Sequence, residues 1–157
     1  MADNSPFSKL DHVGIIVGDL DKAVEHLQSL GIGPFKSFKK VDRQDTKLYG
    51  KPIDPDDIKL GVKVANIGGD VKIELIQPLG EGPWREFLDT RGDGIHHLAF
   101  AVDDINKVES ELVKRGLTVF YHMRLRGGGG AAYLDAGKLG GIVETIEIVQ
   151  WAPGMTE

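Results

Sequence analysis

The chain has 157 residues, a length that suits one compact domain or two small fused units but not two full-sized domains. Its 41% hydrophobic content is enough to bury a core, and 19 basic against 24 acidic residues leave a net charge of −5, with no basic stripe that would suit a nucleic-acid partner. The absence of cysteine excludes disulfides, thiolate metal sites and cysteine nucleophiles and suits a cytoplasmic protein; no secretory leader follows Met1, and no apolar run approaches the ~20 residues of a membrane helix.

In chain order, residues 11–17 alternate in character and predict a strand ending at an acidic turn. Leu20, Ala23, Val24, Leu27 and Leu30 then recur at helical spacing, with Asp19 as the N-cap and Gly31 as the stop. Strands are predicted at 33–40, 60–67 and 71–77, separated by a polar stretch, 43–57, that reads as an inserted loop with prolines at 52 and 55. Pro83 opens a short linker helix over 83–91, which Trp84 and Phe87 are expected to pack. A second series follows: a strand at 96–102, a helix carrying Ile105, Val108, Leu112 and Val113 between Asp104 and Gly116, and strands at 118–124, 131–135 and 143–150. The glycine-rich stretch 126–132 lacks the Lys-Ser/Thr ending of a phosphate loop and precedes a strand, so it reads as a hairpin turn.

The second series repeats the first. Leu10-Asp-His-Val-Gly-Ile overlays Ile95-His-His-Leu-Ala-Phe at a constant 85 positions, placing His12 on His97 and Asp19 on Asp104. Ile73-Glu-Leu-Ile-Gln overlays Ile146-Glu-Ile-Val-Gln at 73, placing Glu74 on Glu147; the shorter offset assigns about a dozen extra residues to the first copy. Each copy reads βαβββ. The expected fold is α+β: two paired modules (8–78 and 94–151) in one domain, forming a cup-shaped mixed sheet with helices on the outer face.

Strand alternation aims the chemistry. Bulky Val13, Ile15 and Val17 face the helix, so His12, Gly14 and Ile16 face away, and the same parity separates His97, Ala99 and Ala101 from His96, Leu98 and Phe100. Glu74 lies between Ile73 and Leu75, and Glu147 between Ile146 and Ile148, so both carboxylates also leave the helix side. His12, Glu74, His97 and Glu147 can therefore converge about a pseudo-twofold axis. Two imidazoles and two carboxylates suit one divalent ion such as Co, Zn, Ni, Mn or Fe(II). His96 is expected to support or pack, His26 to lie on the surface, and His122 has no argued role.

These motifs, with Leu30-Gly-Ile-Gly-Pro-Phe35 and Gly94-Ile-His-His-Leu-Ala-Phe, resemble the vicinal oxygen chelate superfamily over nearly the whole chain and are most similar to its methylmalonyl-CoA epimerase and glyoxalase-like members. The resemblance implies a metal held by His12, Glu74, His97 and Glu147, a homodimer, and an isomerase or epimerase that enolises a small acyl thioester or 2-oxo compound. Glu147 is then the expected base, with Glu74 its partner or only a ligand. One alternative is a glyoxalase-type lactoylglutathione lyase acting on a hemithioacetal, with a glutathione rather than a CoA thioester as its small-molecule partner; a non-catalytic binder of the bleomycin-resistance type is another. Where the epimerases commonly carry Glu-Gln-Gly-Val, this chain reads Lys59-Leu-Gly-Val, so Lys59 stands in the place of an acidic residue. Lys59, with Lys63, Arg85, Arg124 and Arg126, is a candidate contact for an anionic substrate, and Trp151 for closing the cup or a dimer.

Overall fold

The structure, a computed structural model, describes residues 5–139 and 143–152; the first four residues, read above for a leader, lie outside them. One nine-stranded mixed sheet carries three helices: β1 (Leu10–Ile16), α1 (Leu20–Ser29), β2 (Arg43–Leu48), β3 (Lys51–Pro52), β4 (Leu60–Gly68), β5 (Val71–Pro78), α2 (Pro83–Arg91), β6 (Gly94–Ala101), α3 (Ile105–Lys114), β7 (Thr118–Leu125), β8 (Gly130–Leu139) and β9 (Val143–Gln150). Its order is β3-β2-β7-β8-β9-β6-β1-β5-β4. The central strands β1 and β6 run antiparallel, and each pairs in parallel with the last strand of its own module, β5 or β9. No helix among the described residues is long and apolar enough to cross a membrane.

The duplication extends to helix capping. The side chains of Asp19 and Asp104 accept from the backbone N–H of Lys22 and Lys107, as N-caps do. Gln77 and Gln150, matched by the repeat, accept from the backbone N–H of Leu20 and Ile105 and so tie each helix start to the end of its sheet strand. Gly31 and Gly116 follow the helices at positive φ. On the outer face, Val17, Leu20 and Leu75 pack with Ala23, Val24 and Leu27 of α1. Ile105 and Leu112 of α3 pack with Ala132, Leu134 and Ile148. A third cluster, Ile16, Ile58, Ile76, Trp84, Tyr121 and Tyr133, lies inside the cup.

Module one departs from expectation at 33–40. Only Lys36 pairs there, in an isolated bridge to Val64, and Phe38 to Lys40 leave the sheet edge. The pairing lost at that edge reappears in the stretch read as an inserted loop. Residues 43–52 form the β2–β3 hairpin, which docks antiparallel on β7 of the other module, Arg43 opposite Leu125 and Leu48 opposite Tyr121. Such polar residues form a strand because an unpaired sheet edge supplies backbone partners, which composition does not reveal. Pro52 is tolerated in the edge strand β3.

Candidate metal centre

The four central strands β5, β1, β6 and β9 each supply one side chain to the cup floor. In the register, Gly14 lies between Glu74 and His97, and Ala99 lies between His12 and Glu147. Residues paired directly across strands project from the same face, so each row holds two ligating side chains leaning over a small residue. This is why glycine and alanine stand there. A Cβ built on Gly14 would overlap Cε1, Nε2 and Nδ1 of His97.

All four ligand atoms lie within 4.8 Å of one another, the one such cluster among the described residues. Nε2 of His12 is 3.1 Å from Nε2 of His97, and Glu147 Oε2 is 2.9 Å from both. Glu74 stands looser, Oε2 3.6 Å from His12 and Oε1 3.9 Å from His97. Metal–ligand bonds of about 2.1 Å at right angles give edges of about 3.0 Å, which His12, His97 and Glu147 match. The residues fit a divalent ion: four ionisable side chains, each at most 9% exposed, crowd together, and a cation compensates two carboxylates removed from water.

Two β-bulges aim the imidazoles. The β1–β6 register slips once at Asp11 and once at His96, the residues immediately before His12 and His97 and equivalent in the repeat. Strict alternation would send both to the helix face. Instead each turns inward: Asp11 Oδ2 is 2.7 Å from Nδ1 of His12, and His96 Nδ1 is 3.0 Å from Nδ1 of His97. His96 thus packs within the cup, against Phe87 and Tyr133, rather than on the outer face that parity predicts. Asp11 escaped sequence reading, although its place beside His12 and opposite His96 in the repeat was the available signal.

The supports differ chemically. Burial raises the Asp11 pKa, but hydrogen bonds from His12 and Trp151 and the nearby Lys72 outweigh it, so Asp11 is held below the usual carboxylate range. Its Oδ1 accepts from Trp151 Nε1 at 2.8 Å and Lys72 Nζ at 3.2 Å. Burial, reinforced by His97, lowers His96 to about 3, so it is neutral and can accept the Nδ1 proton of His97. Both arrangements leave Nε2 of the ligand histidine free for a metal. Asp11→Asn should weaken metal binding about 10–100-fold, measured by chelator competition, with the fold unchanged.

Burial alone would lower the His12 pKa, but Glu74 and Glu147 outweigh it and raise it well above the ordinary value. Glu147 is also buried, yet His12 and His97 hold it down at about 2. Glu74 goes the other way: burial, with the charge of Glu147, raises it despite His12 and His97. Because a protonated imidazole cannot ligate, metal must displace a proton from His12. Metal affinity should therefore fall as pH is lowered from 8 to 6, and uptake at neutral pH should release protons; an affinity unchanged between pH 6 and 8 would contradict this.

Above the floor opens a cavity of about 1050 Å³. Its walls include Ile58, Leu60, Ile76, Trp84, Tyr121 and Met123, and its mouth is crossed by the segment 37–43. Trp84 therefore does more than pack its helix, standing edge-on to Tyr121 and Tyr133. Trp151 lines the cup beside Phe38. Lys59 is exposed and does not line the cavity, because alternation turns Ile58 and Leu60 inward and Lys59 outward. Lys63 donates to Ser37, while Arg85, Arg124 and Arg126 pair with Asp89, Glu109 and Asp42. The basic residues that line the cavity are Lys39, Lys40 and Arg43, in the segment the sequence presented as a strand and a polar loop. His26 is exposed, and His122 bridges Glu109 and Asp45.

Paired βαβββ modules around a buried two-histidine, two-carboxylate cluster define a glyoxalase-like fold, and the family model agrees: the chain belongs to the Glyoxalase/Bleomycin resistance protein/Dioxygenase superfamily, matched over residues 11–133. Within it the chain is epimerase-like. It is 32% identical over 114 residues to the ethylmalonyl-CoA/methylmalonyl-CoA epimerase of Cereibacter sphaeroides, covering 71% of this chain and 73% of that protein. It is 27% identical over 143 residues to the mitochondrial methylmalonyl-CoA epimerase of Bos taurus, covering 88% of this chain and 73% of that protein. The crystal structure of methylmalonyl-CoA epimerase from Mycobacterium tuberculosis superposes with a TM-score of 0.69 at 29% identity, covering 98% of this chain and 94% of that one.

Proposed function

We propose that this protein is a metal-dependent isomerase or epimerase that moves a proton next to the carbonyl of a small acyl thioester or 2-oxo compound. The observation that carries the reading is the buried quartet His12, Glu74, His97 and Glu147 on the floor of a cavity large enough for an acyl group. The epimerase relatives supply the thioester as the favoured substrate class.

When bound, a divalent cation supplies positive charge against which an enolate is stabilised. The chain's own residues divide the remaining work. His12, His97 and Glu147 hold the cation. Glu147 suits that role because it is held ionised and takes a hydrogen bond from the buried Tyr133 hydroxyl. Glu74 suits the base: it stands farthest from the imidazoles, and its raised pKa makes it the better proton acceptor. This reverses the expectation drawn from the repeat register, in which Glu147 is the base. Glu74 takes the α-proton on a carboxylate oxygen. Epimerisation is completed when the replacement proton reaches the opposite face of the enolate, an isomerase shift when Glu74 hands its proton to the adjacent carbon, and the apolar walls limit access of bulk water to either step.

Lys59 is turned outward, and the other carboxylates that line the cavity, Asp42, Asp54 and Asp56, stand outside the buried cluster, which favours a second reading: a lactoylglutathione-lyase-type shift in which a single carboxylate carries one proton between adjacent carbons. Metal-reconstituted protein incubated in deuterium oxide with methylmalonyl-CoA, and separately with methylglyoxal and glutathione, tests both. Deuterium at the α-carbon of the thioester supports the first reading. Formation of lactoylglutathione alone would replace it with the second, and turnover of neither would defeat both.

A further inference from the structure

Arg43 differs from the other basic residues that line the cup. Lys39 and Lys40 are exposed at the mouth, whereas the Arg43 side chain is only 26% exposed, on a wall that includes Met123 and Leu125. Its partners are few: the Tyr121 hydroxyl, and Asp56 at 3.7 Å, whose carboxylate is 94% exposed and largely screened by water. A guanidinium has five N–H donors, so two such partners leave most of the fork unsatisfied. Tyr121 accepts from Arg43 and keeps its own proton to donate; burial raises its pKa and keeps it neutral.

We propose that Arg43 and Tyr121 form a carboxylate-binding subsite on the cup wall, holding the anionic tail of a substrate whose carbonyl end lies at the His12–Glu74–His97–Glu147 floor. The subsite deepens the function proposed above and depends on it only for the carbonyl end. A planar fork beside a hydroxyl donor matches the two oxygens of a carboxylate, Met123 and Leu125 on the same wall strengthen the pairing, and Lys39 and Lys40 offset the lining carboxylates Asp42, Asp54 and Asp56.

The duplication supports a role in specificity. β2 belongs to the insertion in the first copy, which has no counterpart in the second, and it reaches across to β7 of the other module. The insertion thus adds to a pseudo-symmetric cup a cation that the second copy does not match. The sheet also sets the span. Glu147, Tyr133 and Tyr121 lie in one row across β9, β8 and β7, so two strand spacings, about 10 Å along the sheet, separate the floor from the subsite. A six-carbon 2-oxo diacid covers most of that span once its contacts at both ends are added.

Calorimetric titration of the zinc-loaded protein with 2-oxoadipate and 2-oxohexanoate, equal in length but differing in the tail charge, tests the subsite. The charged ligand should bind about ten-fold more tightly. Arg43→Gln should abolish that preference while leaving zinc content and 2-oxohexanoate affinity unchanged; Arg43→Lys should restore it in part, and Tyr121→Phe should reduce it. Equal binding of the two acids by the wild type, or an undiminished preference in Arg43→Gln, overturns the proposal. So does a loss confined to acetyl-CoA binding in that variant, which would assign Arg43 to phosphate. If the protein holds no zinc, the proposed function fails at the floor; if it holds zinc but does not bind 2-oxohexanoate, the 2-oxo arm of that function fails. Adipate binding to the metal-free protein then reads the subsite alone: dependence on Arg43 upholds it, and its absence overturns it.

Discussion

Gly14→Ala should empty the metal site while leaving the protein folded. A methyl group at position 14 meets the ring of His97, which is wholly buried and fixed by His96, Tyr133 and Glu147. The imidazole must leave its place, and with it goes one of the three donors whose spacing fits the ion. Metal content should fall from about one ion per chain to below about a tenth, and turnover about 10³-fold, at an overpacking cost of about 1–3 kcal/mol in stability. Metal analysis beside thermal unfolding separates loss of the site from loss of the fold. Ala99→Gly, at the equivalent place in the repeat, should keep its metal. A Gly14→Ala protein with full metal content and activity would show that His97 is not a ligand.

The second large effect separates the two carboxylates. Glu74→Gln should keep the metal and lose proton transfer, because Glu74 stands farthest from the imidazoles and an amide cannot accept the α-proton; solvent exchange into substrate should fall about 10²–10⁴-fold. Glu147→Gln should lose most of the metal, because Glu147 Oε2 stands 2.9 Å from both imidazoles and its charge is the one they hold. The opposite outcome, metal lost at position 74 and only activity lost at 147, would return the base to Glu147.

The repeat made much of this site legible. Register matched His12 with His97 and Glu74 with Glu147, and alternation sent all four to the concave face, where they lie together. The same two rules failed locally. Alternation predicts neither the inward turn of His96 nor the contact of Asp11 with His12, because a bulge adds one residue and reverses every later side chain. Charge and motif position made Lys59 a candidate for substrate and passed over Arg43, since neither says which face of a strand a residue occupies or which module an insertion joins.

By itself, the sequence determined the duplication, the capped helices, the two helix-packed clusters and the identity of the four candidate ligands, because capping and strand alternation act over a few residues and repeat in each copy. Tertiary structure decided the rest: the two bulges, the docking of β2 on the far module, the Arg43–Tyr121 pair, and the opposite pKa shifts of Glu74 and Glu147. Those depend on which edge is left unpaired and which charges end up side by side after burial, interactions between residues separated by up to 140 positions in the chain, as Asp11 and Trp151 are.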